Sequence, residues 1–202
     1  MKHDTLPSTE TIEKTAEKLK EHNFKVEIVQ TGAQAKEKAL TLIPKGSEIM
    51  TATSVTLDTI GLAETLNDSG KYDSIKQKLS SMSRDTQHRD MQRLGAAPEY
   101  VIGSVHAITE DGVVMIASNS GSQLPAYAYG ADHVVWVVGA QKIVKNLDDG
   151  FKRIYEHSLP LESERAKKAY GVPGSFVSKI LILNKEPQRD ITIILVNEVL
   201  GY

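Results

Sequence analysis

The sequence predicts an α/β fold, a mostly parallel sheet flanked by helices with a β-hairpin added, on three observations. Short apolar runs alternate with helical patterns along much of the chain, as in a parallel sheet covered on both faces. His133-Val-Val-Trp-Val-Val138 is apolar at successive positions, which a strand buried on both faces requires. Glu110-Asp-Gly112 stands between two apolar segments, and Asp-Gly is a strong hairpin signal because both residues tolerate positive φ.

Each element has its own local cause. Ser8-Thr-Glu-Thr11 opens a polar helix to about residue 21, with Ile12, Ala16 and Leu19 as a narrow apolar stripe. Residues 24–29 alternate and read as a strand. Residues 32–42 carry Ala35, Ala39 and Leu42 at helical spacing, stopped by Pro44-Lys-Gly46. A short strand over 47–52 leads to Ser54, which can cap a helix over 55–66, ended by Asn67-Asp-Ser-Gly70. The polar stretch 72–94 reads as helix in two pieces. The hairpin strands are 105–109 and 113–117. A polar loop, a short helix at 126–130 and the strand at 133–138 follow. A helix over 148–159 is expected to bury Phe151, Ile154 and Tyr155, and the last two strands are 179–183 and 191–196.

With 202 residues, 40% of them hydrophobic, the chain can bury one core. We expect one domain over 1–202, in which 1–44 is a helix-and-strand addition to a core at 45–202. A net charge of −2 argues against a nucleic-acid partner. Arg84, Arg89 and Arg93 sit in a mixed-charge stretch without interleaved aromatics, so a solvated helix with local ion pairs is the expectation rather than an RNA-binding face. There is no cysteine, hence no disulfide, thiolate zinc site or cysteine-ligated cluster in this chain. That fits a cytoplasmic location. No apolar run approaches the length of a signal-peptide core or the roughly 18 residues of a membrane span.

Ligands of open α/β sheets gather beyond the carboxyl ends of the strands. Three polar loops follow apolar strands and are expected to face one crevice. In the first, the hydroxyls of Thr53 and Ser54 with helix N-terminal amides suit a phosphate or carboxylate, or serve only as a cap. The second, Asn119, Ser120, Gly121, Ser122 and Gln123, is small enough for backbone to approach a ligand, or is a plain connection. In the third, Lys142 can offer positive charge to an anion, or be solvated. His106 and Glu110 lie four apart on one strand face, too far apart for easy chelation by the pair, so a metal site is not expected. From pattern alone Glu110 is an exposed turn residue, although a carboxylate at a strand end can act as nucleophile or base. Signatures of dinucleotide, P-loop and hydrolase sites are missing.

The run GSVHAITEDGVVMIASNSGSQLPAYAYGADHVVWVVGAQKIVKNLDDG, with ILVNEVLGY near the end, resembles the LUD-domain family, the LutC/YkgG-type lactate utilization proteins, over about residues 46–202. The resemblance implies a fold similar to the NagB/RpiA/CoA-transferase superfamily. Some CoA transferases carry their catalytic glutamate in a Ser-Glu-Asn-Gly hairpin, which Thr109-Glu-Asp-Gly112 resembles, with Asp111 in place of the asparagine. By that likeness Glu110 becomes the first catalytic candidate. The resemblance also implies a non-redox subunit that works with iron–sulfur partner proteins in oxidising L-lactate to pyruvate, with no cofactor of its own. The alternative it leaves is a stand-alone enzyme using Glu110 on a small anionic or acyl substrate.

Overall fold

Six parallel strands form the centre of the molecule in the computed structural model, which describes residues 3–202. In chain order the elements are α1 (Thr9–Glu21), β1 (Lys25–Val29), α2 (Gly32–Leu42), β2 (Glu48–Thr51), α3 (Val55–Thr59), α4 (Leu62–Asp68), β3 (Asp73–Ser74), α5 (Ile75–Ser80) and α6 (Arg84–Ala96). They continue with β4 (Tyr100–Gly103), β5 (Ala107–Thr109), β6 (Val114–Ser118), β7 (His133–Gly139), β8 (Ile143–Val144), α7 (Leu147–Arg153), α8 (Leu159–Tyr170), β9 (Lys179–Leu183) and β10 (Asp190–Val196). The main sheet runs β1-β10-β7-β4-β2-β3, every pair parallel.

The alternation of β7 shows why this sheet is buried twice over. Val134, Trp136 and Val138 pack with Ile12, Ala16 and Leu19 of α1 and with the second sheet. Val135 and Val137 face the other way, against Ala35 and Ala39 of α2, Leu57 of α3, and Leu62 and Leu66 of α4. The first helix and strand are woven into this sheet, since β1 pairs along its whole length with β10.

Several expectations shift in detail. The hairpin β5–β6 is the middle of a second, mixed sheet, β8-β5-β6-β9, because β9 pairs antiparallel with β6 rather than extending the main sheet. The helix expected over 55–66 is broken by Gly61 at φ 64°, which separates α3 from α4. β4 was hidden in the sequence because Tyr100-Val-Ile102 runs straight into the hairpin segment. The helix expected to end at Leu159 instead passes through a π-turn, Ile154–Ser158, into α8. Pro160 lacks a backbone N–H, and the wider turn before it falls where that donor would have been needed. Tyr155 is 48% exposed, not buried, while Gly150, Arg153, Ile154 and Ser158 form the inward side.

Candidate functional site

Neighbouring strands β10, β7, β4 and β2 end side by side, and the chain leaving each one borders a crevice of about 1550 Å³. The three loops expected to converge do so. Thr53, Ser54, His106, Asn119, Ser120, Gly121, Ser122, Gln123 and Lys142 all line it. α5 and α6 form its outer wall, and α8 with the segment after it closes the opposite side.

Lys142 lies at the buried end of this crevice with only 2% of its surface exposed. Its Nζ donates to Thr56 Oγ1 at 3.1 Å and to Ser104 Oγ at 3.1 Å, and no carboxylate pairs with it among the described residues. Burial presses its pKa well below the ordinary lysine range, and the nearby Arg153 guanidinium adds to the effect. The two hydroxyls have acceptors of their own. Thr56 Oγ1 lies 3.3 Å from the Leu200 carbonyl, and Ser104 Oγ 3.5 Å from that of Val105. Each therefore turns a lone pair toward the amine.

His106 sits at the mouth of the hairpin. The Ala117 N–H donates to its Nδ1 at 3.1 Å, which places the proton of the neutral ring on Nε2. Burial, then Lys142 and Arg153, push the imidazole down to about 3, so it is uncharged at neutral pH. Arg153, fully buried, donates to the His106 carbonyl at 2.8 Å and to Ser158 Oγ at 3.0 Å. Burial lowers its pKa to about 10.

The lone acidic side chain of the lining is Glu162, and it is already engaged. Arg165 grips it through two bonds of 2.7 Å, and the Tyr202 hydroxyl donates to it at 2.7 Å. Burial alone would raise the Glu162 pKa, but these bonds outweigh it and the carboxyl stays below its usual value. Tyr202 is brought there by Gln141, whose Nε2 donates to the carbonyls of Leu200 at 2.9 Å and Gly201 at 3.1 Å.

Two expected anion cradles are less open than the sequence suggests. Ser54 caps α3 by accepting the Leu57 N–H, and that helix has five residues. In the loop 119–123 the N–H of Gly121 bonds Ser118 Oγ at 2.9 Å and that of Ser122 bonds Ser120 Oγ at 3.3 Å.

Glu110 is not brought to the crevice. It is exposed at the hairpin tip, its N–H bonds the Val144 carbonyl at 2.8 Å, and its carboxylate makes no hydrogen bond or ion pair among the described residues. The turn itself is made by Thr109, which bonds Asp111, and by Gly112 at φ 87°. Four residues along a strand span ~13 Å, so one face does not mean one site. Glu110→Gln is expected to leave ligand affinity unchanged and stability within ~0.5 kcal/mol, as for other surface changes. Calorimetric titration and denaturant unfolding check this, and a large loss of affinity would return the carboxylate to the site.

Sequence reasoning missed Ser104, Glu162, Arg165 and Tyr202 as members of the site. The Gly-Ser step after Tyr100-Val-Ile102 was a usable signal for a strand end at Ser104. Nothing local marks Glu162, because its role depends on Arg165 and on a segment forty residues away. Among the described residues no helix is long and apolar enough to cross a membrane, and no cluster of three His, Cys, Asp or Glu side chains is placed to hold a metal.

A family model described as LUD domain matches residues 12–198. A DUF162 family protein of Deinococcus radiodurans, known from a crystal structure, has a similar fold. It is 13% identical with a TM-score of 0.57, over 96% of this chain and all of that one. A partial likeness to ribose 5 phosphate isomerase A from Neisseria gonorrhoeae, at 17% identity and a TM-score of 0.34, covers 57% of this chain and 54% of that one. No curated protein matches the chain.

Proposed function

The chain belongs to the LUD domain family, and from that premise we propose that it is a LutC-like, non-redox subunit of a system that oxidises L-lactate to pyruvate. Its part is to hold a small carboxylate anion in the crevice, while iron–sulfur partner proteins carry the electrons. The observation that carries this reading is the charge of the lining. Lys76, Arg84, Arg89, Arg93 and Arg165 border the crevice against Glu162 as the one acidic side chain among the described residues of the lining, although the whole chain has a net charge of −2. Arg165 and Tyr202 already satisfy that one carboxylate. An anion entering from water meets basic side chains and neutral donors, an arrangement that concentrates anions and steers them inward. A chain without cysteine has no means of ligating an ordinary iron–sulfur cluster, so electron transfer falls to other proteins.

Two measurements test the two halves. Titration calorimetry should show L-lactate and pyruvate binding, weakened by added salt as the basic lining is screened. Tagged protein from cells grown on L-lactate should co-purify with cysteine-rich oxidoreductase subunits. Absence of carboxylate binding contradicts the ligand assignment, and absence of such partners contradicts the assembly.

A further inference from the structure

We propose that Lys142 captures a small 2-oxo acid by forming a reversible imine with its carbonyl carbon. This deepens the reading of the crevice as a carboxylate site and rests on it. The geometry of the amine is the starting point. Nζ has two hydrogen-bond partners, Thr56 Oγ1 and Ser104 Oγ, each 3.1 Å away and each a hydroxyl with a further acceptor for its own proton. A neutral amine has two N–H bonds and one lone pair. Both N–H bonds are used, and the remaining tetrahedral position has no protein partner among the described residues. The amine also borders the crevice, at the end of a basic lining that recruits carboxylates.

Burial and the proximity of Arg153 favour the uncharged amine, the condition under which a lysine is nucleophilic. His106 lines the same crevice as a neutral ring with its proton on Nε2, a donor suited to a carbonyl oxygen. A charged lysine buried without a carboxylate has no comparable justification, since desolvation of an unpaired ammonium is costly.

The step balances within the two reactants. The Nζ lone pair attacks the carbonyl carbon, a C–N bond forms, and the π pair moves to oxygen, which takes up a proton as Nζ gives one up. The carbinolamine then loses its hydroxyl as water, the second Nζ proton balancing the one the hydroxyl takes up, and a C=N bond remains. No electrons enter or leave, and water reverses the reaction. A 2-hydroxy acid binds by its carboxylate but has no electrophilic carbon, so the capture distinguishes the oxidised acid from the reduced one.

The test is reductive trapping. The full chain is incubated with pyruvate and borohydride and examined by intact mass and peptide mapping. The expected result is a single reduced pyruvate adduct on Lys142. L-lactate alone gives none, and Lys142→Arg, which keeps N–H donors at the site without the nucleophile, loses the adduct. Folding of the variant is followed by fluorescence of Trp136, the only tryptophan and fully buried. If pyruvate binds by calorimetry but no adduct forms, or if the adduct persists in Lys142→Arg, capture is refuted while the carboxylate site stands. If neither pyruvate nor L-lactate binds, the reading of the crevice fails and the capture with it.

Discussion

Lys142→Met is expected to make the protein more stable near neutral pH and to abolish its response to small carboxylates. Methionine fills a similar volume without a group that water must abandon. Replacing buried ion pairs by apolar groups of like size is often neutral or stabilising by ~1–4 kcal/mol, and an amine with no carboxylate partner has less to lose. The pH dependence follows from linkage. The folded-state pKa of Lys142 is depressed below the ordinary 10.5, so between the two values the unfolded chain holds a proton that the folded chain has released. Stability from this group therefore rises as pH rises through that window and is least below it. The variant lacks this contribution, so its advantage should shrink as pH rises toward ~10 and grow as pH falls from there through neutrality. Urea unfolding followed at Trp136 measures both curves. A variant less stable than the parent at every pH would mean that Lys142 is a well-paired cation after all.

Gly139→Ala should be strongly destabilising. Gly139 ends β7, and a Cβ there would collide with Gln141 Oε1, the Leu200 nitrogen at 2.8 Å and the Glu198 carbonyl oxygen at 2.9 Å. Two of the three are backbone atoms and cannot swing aside. Overpacking of this kind costs ~1–3 kcal/mol, a fall in Tm of roughly 2–12 °C for a chain this size. The displaced parts are Gln141, which holds Leu200 and Gly201, and through them Tyr202 on Glu162, so ligand affinity should fall as well. Gly95→Ala provides the contrast. Its Cβ would meet only the end of the Met50 side chain at 3.9 Å within α6, and alanine is favoured over glycine in a helix by ~1 kcal/mol. Equal losses in the two variants would contradict the close approach at Gly139.

Much of this architecture was legible because local patterns report burial directly. The continuous apolar run of β7, the caps at Ser8 and Ser54, and the Asp-Gly turn all have the predicted structural roles. The rule that ligands gather at strand ends grouped three loops distant in sequence, and they share one crevice. What stayed hidden depends on long-range placement. No local pattern tells whether a lysine will meet a carboxylate or, as Lys142 does, only hydroxyls from Thr56 and Ser104. The likeness of the Thr109–Gly112 turn to a catalytic hairpin concerned the turn and not its neighbours. Glu110 points to no partner there, whereas His106, at the other end of β5, borders the crevice. α8 was concealed by Pro160, normally a stop signal, and with it went Glu162 and Arg165.

We propose that the strand-end crevice, with Lys142 at its buried end, is where this LUD domain holds a small carboxylate. Backbone amide NMR of the 15N-labelled chain during an L-lactate titration tests it most directly. The predicted result is a set of saturable shifts confined to Thr53, Ser54 and Thr56, Ser104 and His106, Asn119 to Gln123, and Lys142, with the hairpin tip at Glu110 unmoved. Saturable shifts centred on the hairpin tip, or none at any of these loops, would contradict it.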